Sequence, residues 1–271
     1  MTEDTQTDPV ADFITALTEF SETSAPLDFV LIAQNWELFA NGIVNTLTLV
    51  TLALFIGMLM AIPMAIVKAE RLPVASQLVT AFVYVFRGTP LLVQAYLIYY
   101  GLAQFEAVRD SIFWPYLREP WWCALFAFSI NSAAYQIEIY RGGIDAVPRG
   151  EVEAARAIGF SRLGALRHVV LPSAWRRCFP MWGNETIFLL HGTAIASTIT
   201  VIDILGAGRQ LNARYYLAYE GFITATVIYM ILIFILTRFL NRAERGLMRH
   251  MGEVKVVKAP ATGLPGAGLP G

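Results

Sequence analysis

From Phe39 to Val67 the chain carries no charged side chain. A bilayer core roughly 30 Å thick needs about 20 helical residues to cross, so this run alone is long enough to span a membrane. The sparseness recurs along the chain. Leu72 to Gln104 is interrupted only by Arg87, and Pro120 to Ile137 holds no charge. Cys178 to Gly208 is broken only by Glu185, His191 and Asp203, and Gly221 to Thr237 is again uncharged. These stretches predict five spans near residues 42–67, 75–102, 121–140, 182–203 and 219–239. Only 15% of residues are charged against 56% hydrophobic, whereas a soluble domain carries about 25% charged. The balance excludes an ordinary soluble domain and predicts an all-α polytopic membrane protein. A net charge of −1 leaves no global field to attract nucleic acid.

An odd number of spans puts the termini on opposite sides. With the N-terminus outside, the segments 68–74, 141–181 and 238–271 are cytoplasmic and hold fifteen Lys and Arg residues, against four outside. That asymmetry obeys the positive-inside rule and places the C-terminus in the cytoplasm. The chain then divides into a polar periplasmic lead-in (1–39), a transmembrane body (40–242) and a cytoplasmic tail (243–271) that repeats GLPG and is expected to be disordered. The lead-in has neither a basic n-region nor an apolar h-region, so no signal peptide is expected there, and ADFITALTEF within it reads as a surface helix. Gly57, Pro63, Gly88 and Pro90 fall inside spans, where backbone breakers survive only if neighbouring helices or a water-filled cavity satisfy the freed groups. Cys123 and Cys178 lack metal or redox spacing and are expected to be small buried hydrophobes.

Between the third and fourth spans the composition changes abruptly. Residues 151–174, EVEAARAIGFSRLGALRHVVLPSA, hold three arginines, two glutamates and a histidine. Val152, Ala155 and Ile158 fall on one face of a short helix that Gly159 ends. Ser161 is a plausible N-cap for a second helix carrying Leu163, Leu166, Val169 and Val170 at helical spacing, with Pro172 expected to stop it. From the residues alone, this is a compact helical hairpin at the cytoplasmic face.

The same segment resembles the EAA signature of ABC importer permeases, carried here by Glu153-Ala154-Ala155, Gly159, Val169 and Leu171-Pro172; the usual isoleucine is Val169. FRGTP at Phe86 to Pro90 looks like the polar amino-acid branch of that family. Asn184-Glu185, Leu190-His191 and Thr193-Ala194 look closest to permease subunits for histidine, lysine, arginine and ornithine, or for opines. The resemblance covers roughly residues 40–245. It implies the type I ABC importer permease fold, with the loop 145–172 as a coupling helix docked on a cytoplasmic ABC ATPase dimer. Glu153, Ala154, Ala155 and Gly159 would carry the docking, and Leu171 and Pro172 the exit into the fourth span. It implies further partners: a second permease subunit, identical or homologous, and a periplasmic substrate-binding protein. ATP and Mg would be bound by the partner ATPase, since this chain lacks G-K-[ST] and with it a P-loop. The location implied is the bacterial inner membrane.

Ionisable groups inside a bilayer are costly and invite a functional reading. Arg87 could hold a substrate carboxylate, or pair with Glu185 or backbone carbonyls as a structural lock. Glu185 could bind a substrate ammonium or guanidinium, or pair with an arginine. His191 is expected to be a satisfied core histidine, though it is also a pathway candidate. Thr89, Gln94 and Asn131 are candidates for interhelical hydrogen bonds, the first two also for the substrate pathway, and Glu138 with Arg141 for a structural ion pair. Neither H-E-x-x-H nor G-x-S-x-G occurs, so no catalytic or metal site is expected. The expected function is translocation of a polar, basic amino acid or an opine. The alternative is an ATP-independent secondary transporter or channel, which would call for an inverted repeat that the two halves do not display.

Overall fold

The computed structural model describes residues 14, 15, 18 and 29–249. The surface helix expected at residues 11–20 falls largely outside these residues, as does the GLPG tail. The described chain is helical throughout. In order, α1 is Phe29–Gln34, α2 Trp36–Ala69, α3 Ala75–Gly88 and α4 Leu91–Tyr96, which continues through a π-turn and a 3-10 turn to Gln104. Two short helices, α5 (Glu106–Arg109) and α6 (Trp114–Leu117), lead to α7 (Pro120–Asp145). Then come α8 (Arg149–Ala157), α9 (Arg162–Ala165), α10 (Leu171–Gly192), α11 (Ile204–Tyr215) and α12 (Ala218–Met248).

Among the described residues three helical stretches are long and apolar enough to cross a membrane: Trp36–Ala69, Arg162–Tyr215 and Ala218–Met248. A fourth is the pair α3 and α4 taken together, bent by 98°. The remaining expected span, α7, has 26 residues and so reaches about 39 Å at the α-helical rise. Its composition is the more polar because it is the central helix, with Ser129, Asn131, Ser132 and Gln136 turned inward.

The four breakers behave differently. Gly57 and Pro63 do not interrupt α2, which runs unbroken past both. Ala53, Gly57, Ala61 and Ala65 recur every fourth residue on the buried side of α2, a small-residue stripe that lets two helix backbones approach in lipid. A Cβ at Gly57 would lie 3.2 Å from the Ala133 amide nitrogen of α7. Gly88 and Pro90, in contrast, do end α3. The span expected at 75–102 is therefore two helices meeting at a sharp corner.

The fourth span also departs from expectation. Pro172 does not stop a helix. A π-turn over Leu166–Val170 precedes it, and α10 begins at Leu171 with the proline in its first turn. The wide turn displaces the carbonyls that the ring would strike, so the helical course from Arg162 continues past the proline. α10 thus starts well before residue 182 and tightens into a 3-10 segment, Thr193–Ile199, which ends at Thr200 with φ +68°. The core joins α2, α7 and α10 through Leu49, Ala53, Leu54, Leu125, Phe128 and Leu190. Cys123 and Cys178 are free and buried, as expected.

Candidate functional site

The corner between α3 and α4 is built around one carbonyl. In a continuous helix the Phe86 carbonyl would accept from the N–H of residue 90, but Pro90 has none. Gln94 Nε2 donates to it at 2.9 Å and Asn131 Nδ2 at 3.1 Å. Gln94 also donates to the carbonyl and hydroxyl oxygens of Thr89, at 3.1 and 2.8 Å, and accepts from Asn131 at 3.2 Å. Thr89 donates in turn to the Val85 carbonyl at 2.8 Å. Thr89, Gln94 and Asn131 therefore make the interhelical bonds expected of them, and what they stabilise is the corner.

That corner fixes Arg87 at the wall of a cavity of about 740 Å³. α7 lends the cavity Asn131, Tyr135 and Glu138, and α10 lends Asn184 and Glu185, with Leu91, Met181 and Phe188 as apolar wall. The Arg87 guanidinium lies over the Tyr135 ring, 4.9 Å from its centroid. No ion pair joins it to Glu185 among the described residues, so of the readings open for Arg87 the lock through Glu185 does not hold. Glu185 is 8% exposed and accepts from Ser132 Oγ at 3.3 Å. One cavity thus presents a cation and an anion on separate walls, with amides and a phenol between them. Thr89 and Gln94 do not line it.

His191 is elsewhere. It is exposed on the outer side of α10, with Nδ1 2.9 Å from the Ile187 carbonyl, and borders a shallow surface hollow with Thr226 and Tyr229. The expectation of a core histidine is overturned, because among the described residues the α12 side chains that face it leave an open hollow and do not cover the ring.

At the cavity rim, Arg141 bonds Glu138 at 3.0 Å, as the helical spacing suggested, and Asp145 at 2.6 Å. Lys68 of α2 also pairs with Glu138. Asp145 was legible as the residue one turn beyond Arg141; Lys68, seventy residues from its partner, had no local signal.

The polar loop forms two short helices joined by a tight cap. Gly159 N–H donates to the Arg156 carbonyl at 3.0 Å and Phe160 N–H to the Ala155 carbonyl at 3.1 Å. This is the bond pair that closes a helix on a left-handed residue, and Gly159 has φ +92°. Among the described residues nothing lies within 4 Å of a Cβ built there, so among them the glycine serves the backbone turn and no close approach. Ser161 Oγ caps α9, accepting from Gly164 N–H at 3.1 Å. Ala155 is buried, while Glu153 and Ala154 face outward. Ile158 does not join the buried face: it is 77% exposed, and Leu163 is 74% exposed. Arg162 pairs with Glu70 at the end of α2, and Arg177 bonds Glu151 at 3.1 Å, tying the loop to the helices behind it. Leu171 is half-buried beside Trp175, and Pro172 is exposed.

No three His, Cys, Asp or Glu side chains converge as a metal site among the described residues. Fold and site together define an all-helical, multi-pass membrane protein with a two-signed polar cavity and an exposed polar loop between two of its long helices. Residues 53–249 match the family described as binding-protein-dependent transport system inner membrane component, and the chain belongs to that family. It is 40% identical over 226 residues to the nopaline transport system permease protein NocM of Agrobacterium fabrum, covering 83% of this chain and 94% of the relative. It is 38% identical over 211 residues to the histidine/lysine/arginine/ornithine transport system permease protein HisM of Escherichia coli, covering 78% and 89%. Among solved structures, an amino acid ABC transporter crystallised with histidines superposes with a TM-score of 0.72 at 34% identity, over 82% of this chain and 100% of that one. The fold is that of the type I ABC importer permeases, and the chain is a multi-pass inner-membrane component.

Proposed function

We propose that this chain is the translocating subunit of an ATP-driven importer for a basic amino acid or an opine. The single observation that carries the reading is one cavity lined by both Arg87 and Glu185, which come from different helices. A zwitterion with a cationic side chain needs a cation for its carboxylate and an anion for its ammonium or guanidinium. The relatives' names, which refer to nopaline and to histidine, lysine, arginine and ornithine, support the same substrate class.

The reading includes five spans, α7 being the one whose polar residues serve the cavity, with the N-terminus outside. Energy comes from a cytoplasmic ATPase dimer that binds ATP and Mg, and this chain contributes no hydrolytic site. A periplasmic binding protein delivers the substrate, and a second permease subunit completes the pathway. The loop carrying Glu153, Ala154 and Ala155 also exposes Ile158 and Leu163, which offer apolar surface to a protein partner there. From Arg162 to Ile199 the chain stays helical without a break, so a push on the loop can travel along α10 to Asn184 and Glu185 in the cavity wall.

The test is uptake by proteoliposomes holding the permease pair, its ATPase and its binding protein. ATP-dependent uptake of L-arginine, L-histidine or nopaline is expected. Glu185→Gln should lower transport of the cationic substrate by about 10-fold or more, as for loss of a charge-assisted bond. Uptake by this chain alone without ATP would instead favour a secondary transporter.

A further inference from the structure

Behind Glu185 runs a chain of buried polar side chains that the substrate reading does not use. Tyr140 O–H donates to Gln136 Oε1 at 2.7 Å. Gln136 Nε2 donates to the Leu54 carbonyl of α2 at 3.2 Å and to Ser132 Oγ at 3.0 Å. Ser132 Oγ reaches Glu185 Oε1 at 3.3 Å. Gln136 and Ser132 are 0% exposed and Tyr140 5%.

The donor order along this chain follows from counting hydrogens. The Leu54 carbonyl can only accept, so the amide nitrogen of Gln136, not its oxygen, must face it. Both amide hydrogens are then used, one on Leu54 and one on Ser132. The serine oxygen is an acceptor, and its only proton is left for Glu185. Apart from the branch to Leu54, the bonds from Tyr140 through Gln136 and Ser132 therefore point the same way and end on one carboxylate oxygen. Oε2 of Glu185 has no hydrogen-bond partner among the described residues and belongs to a side chain that lines the cavity.

α2 makes room for this arrangement. A Cβ at Gly57 would lie 2.7 Å from Gln136 Nε2. A fully buried amide in a membrane helix costs free energy unless every polar atom is bonded, and an apolar residue would fill the same space without that requirement. We infer that Ser132 and Gln136 are positioning residues that hold one oxygen of Glu185 so that the other is aimed at the cationic group of the substrate. The inference rests on the reading of the cavity as a substrate site and adds to it the residues that determine charge selectivity.

The test uses the complete assembly of permease pair and ATPase in lipid nanodiscs, without binding protein. Equilibrium binding of radiolabelled L-arginine is competed with L-citrulline, its uncharged isostere. Wild type should prefer arginine. Ser132→Ala and Gln136→Leu should each reduce that preference by about 5-fold, the order expected for one hydrogen bond, and Ser132→Thr, which keeps the hydroxyl, should restore it. Equal weakening of both ligands in Ser132→Ala would reveal a purely structural tie and overturn the inference. If Glu185→Gln abolishes the preference while Ser132→Ala and Gln136→Leu keep it, this inference falls and the substrate reading stands. An unchanged preference in Glu185→Gln, or no arginine binding by wild type, removes both. Should Gln136→Leu fail to assemble, as judged by gel filtration with its ATPase, the Ser132 pair of variants decides.

Discussion

At Pro90 the chain loses the N–H that would have closed on the Phe86 carbonyl, and two amide side chains replace it. The substitution of side-chain for backbone donors makes the corner a local energetic unit. Gln94→Leu should lower the thermal unfolding midpoint in detergent, corresponding to about 1–3 kcal/mol for the buried groups left unsatisfied. The hydrogen-bond candidates Thr89, Gln94 and Asn131 were legible because polar side chains in a span must find partners. Which partners they find was not, since Gln94 and Asn131 reach the Phe86 carbonyl only through the corner and through the packing of α7 against it. Glu138 and Arg141 were legible as neighbours on one helical face, whereas Lys68 reaches Glu138 only because α2 packs alongside α7.

Among the elements, the hairpin 149–165 is the most local in origin. Its cap, turn and second start follow from Gly159 and Ser161. Gly159→Ala meets no neighbouring atom, so its cost is the backbone alone, about 1–2 kcal/mol for an L-residue held at positive φ. Hydrogen exchange over residues 149–165 should quicken accordingly, and ATPase stimulation by substrate-loaded binding protein should fall. Helix packing supplies a contrasting case. A Cβ on Gly208 of α11 would lie 2.8 Å from the Gly221 carbonyl oxygen of α12. Because that neighbour is backbone, Gly208→Val must separate the two helices, and a loss of about 1–3 kcal/mol is expected from such overpacking, read as a lower unfolding midpoint. Pro172 illustrates a limit of local reading: a proline signals a helix end, and here the helical course runs on past it, because a π-turn upstream accommodates the ring.

For the whole molecule, the surface itself is informative. α12 turns Met230, Ile231, Phe234, Ile235 and Phe239 outward, each at least half exposed, as lipid-facing residues of a multi-pass protein would be. Topology is open to a direct measurement. Both native cysteines are buried, so a single cysteine introduced as Ala154→Cys should react with a membrane-impermeant maleimide in inside-out vesicles and stay unlabelled in right-side-out ones. Labelling from the periplasmic side would reverse the proposed orientation and detach the loop from any cytoplasmic ATPase.

The sequence by itself determined the helical class, the approximate course of the apolar segments and the hairpin between them. Each of these depends on short-range physics: a peptide group in lipid must bond within its own helix, and caps and turns involve residues a few positions apart. Tertiary structure decided the rest. It kept α2 continuous through Gly57 and Pro63, broke the next span at Gly88 and Pro90, and placed His191 outside. It also brought Arg87, Glu185 and the Ser132–Gln136 relay together from three separate helices. Those outcomes depend on how close two helices come and which faces they turn to each other, and no spacing along a single helix encodes that.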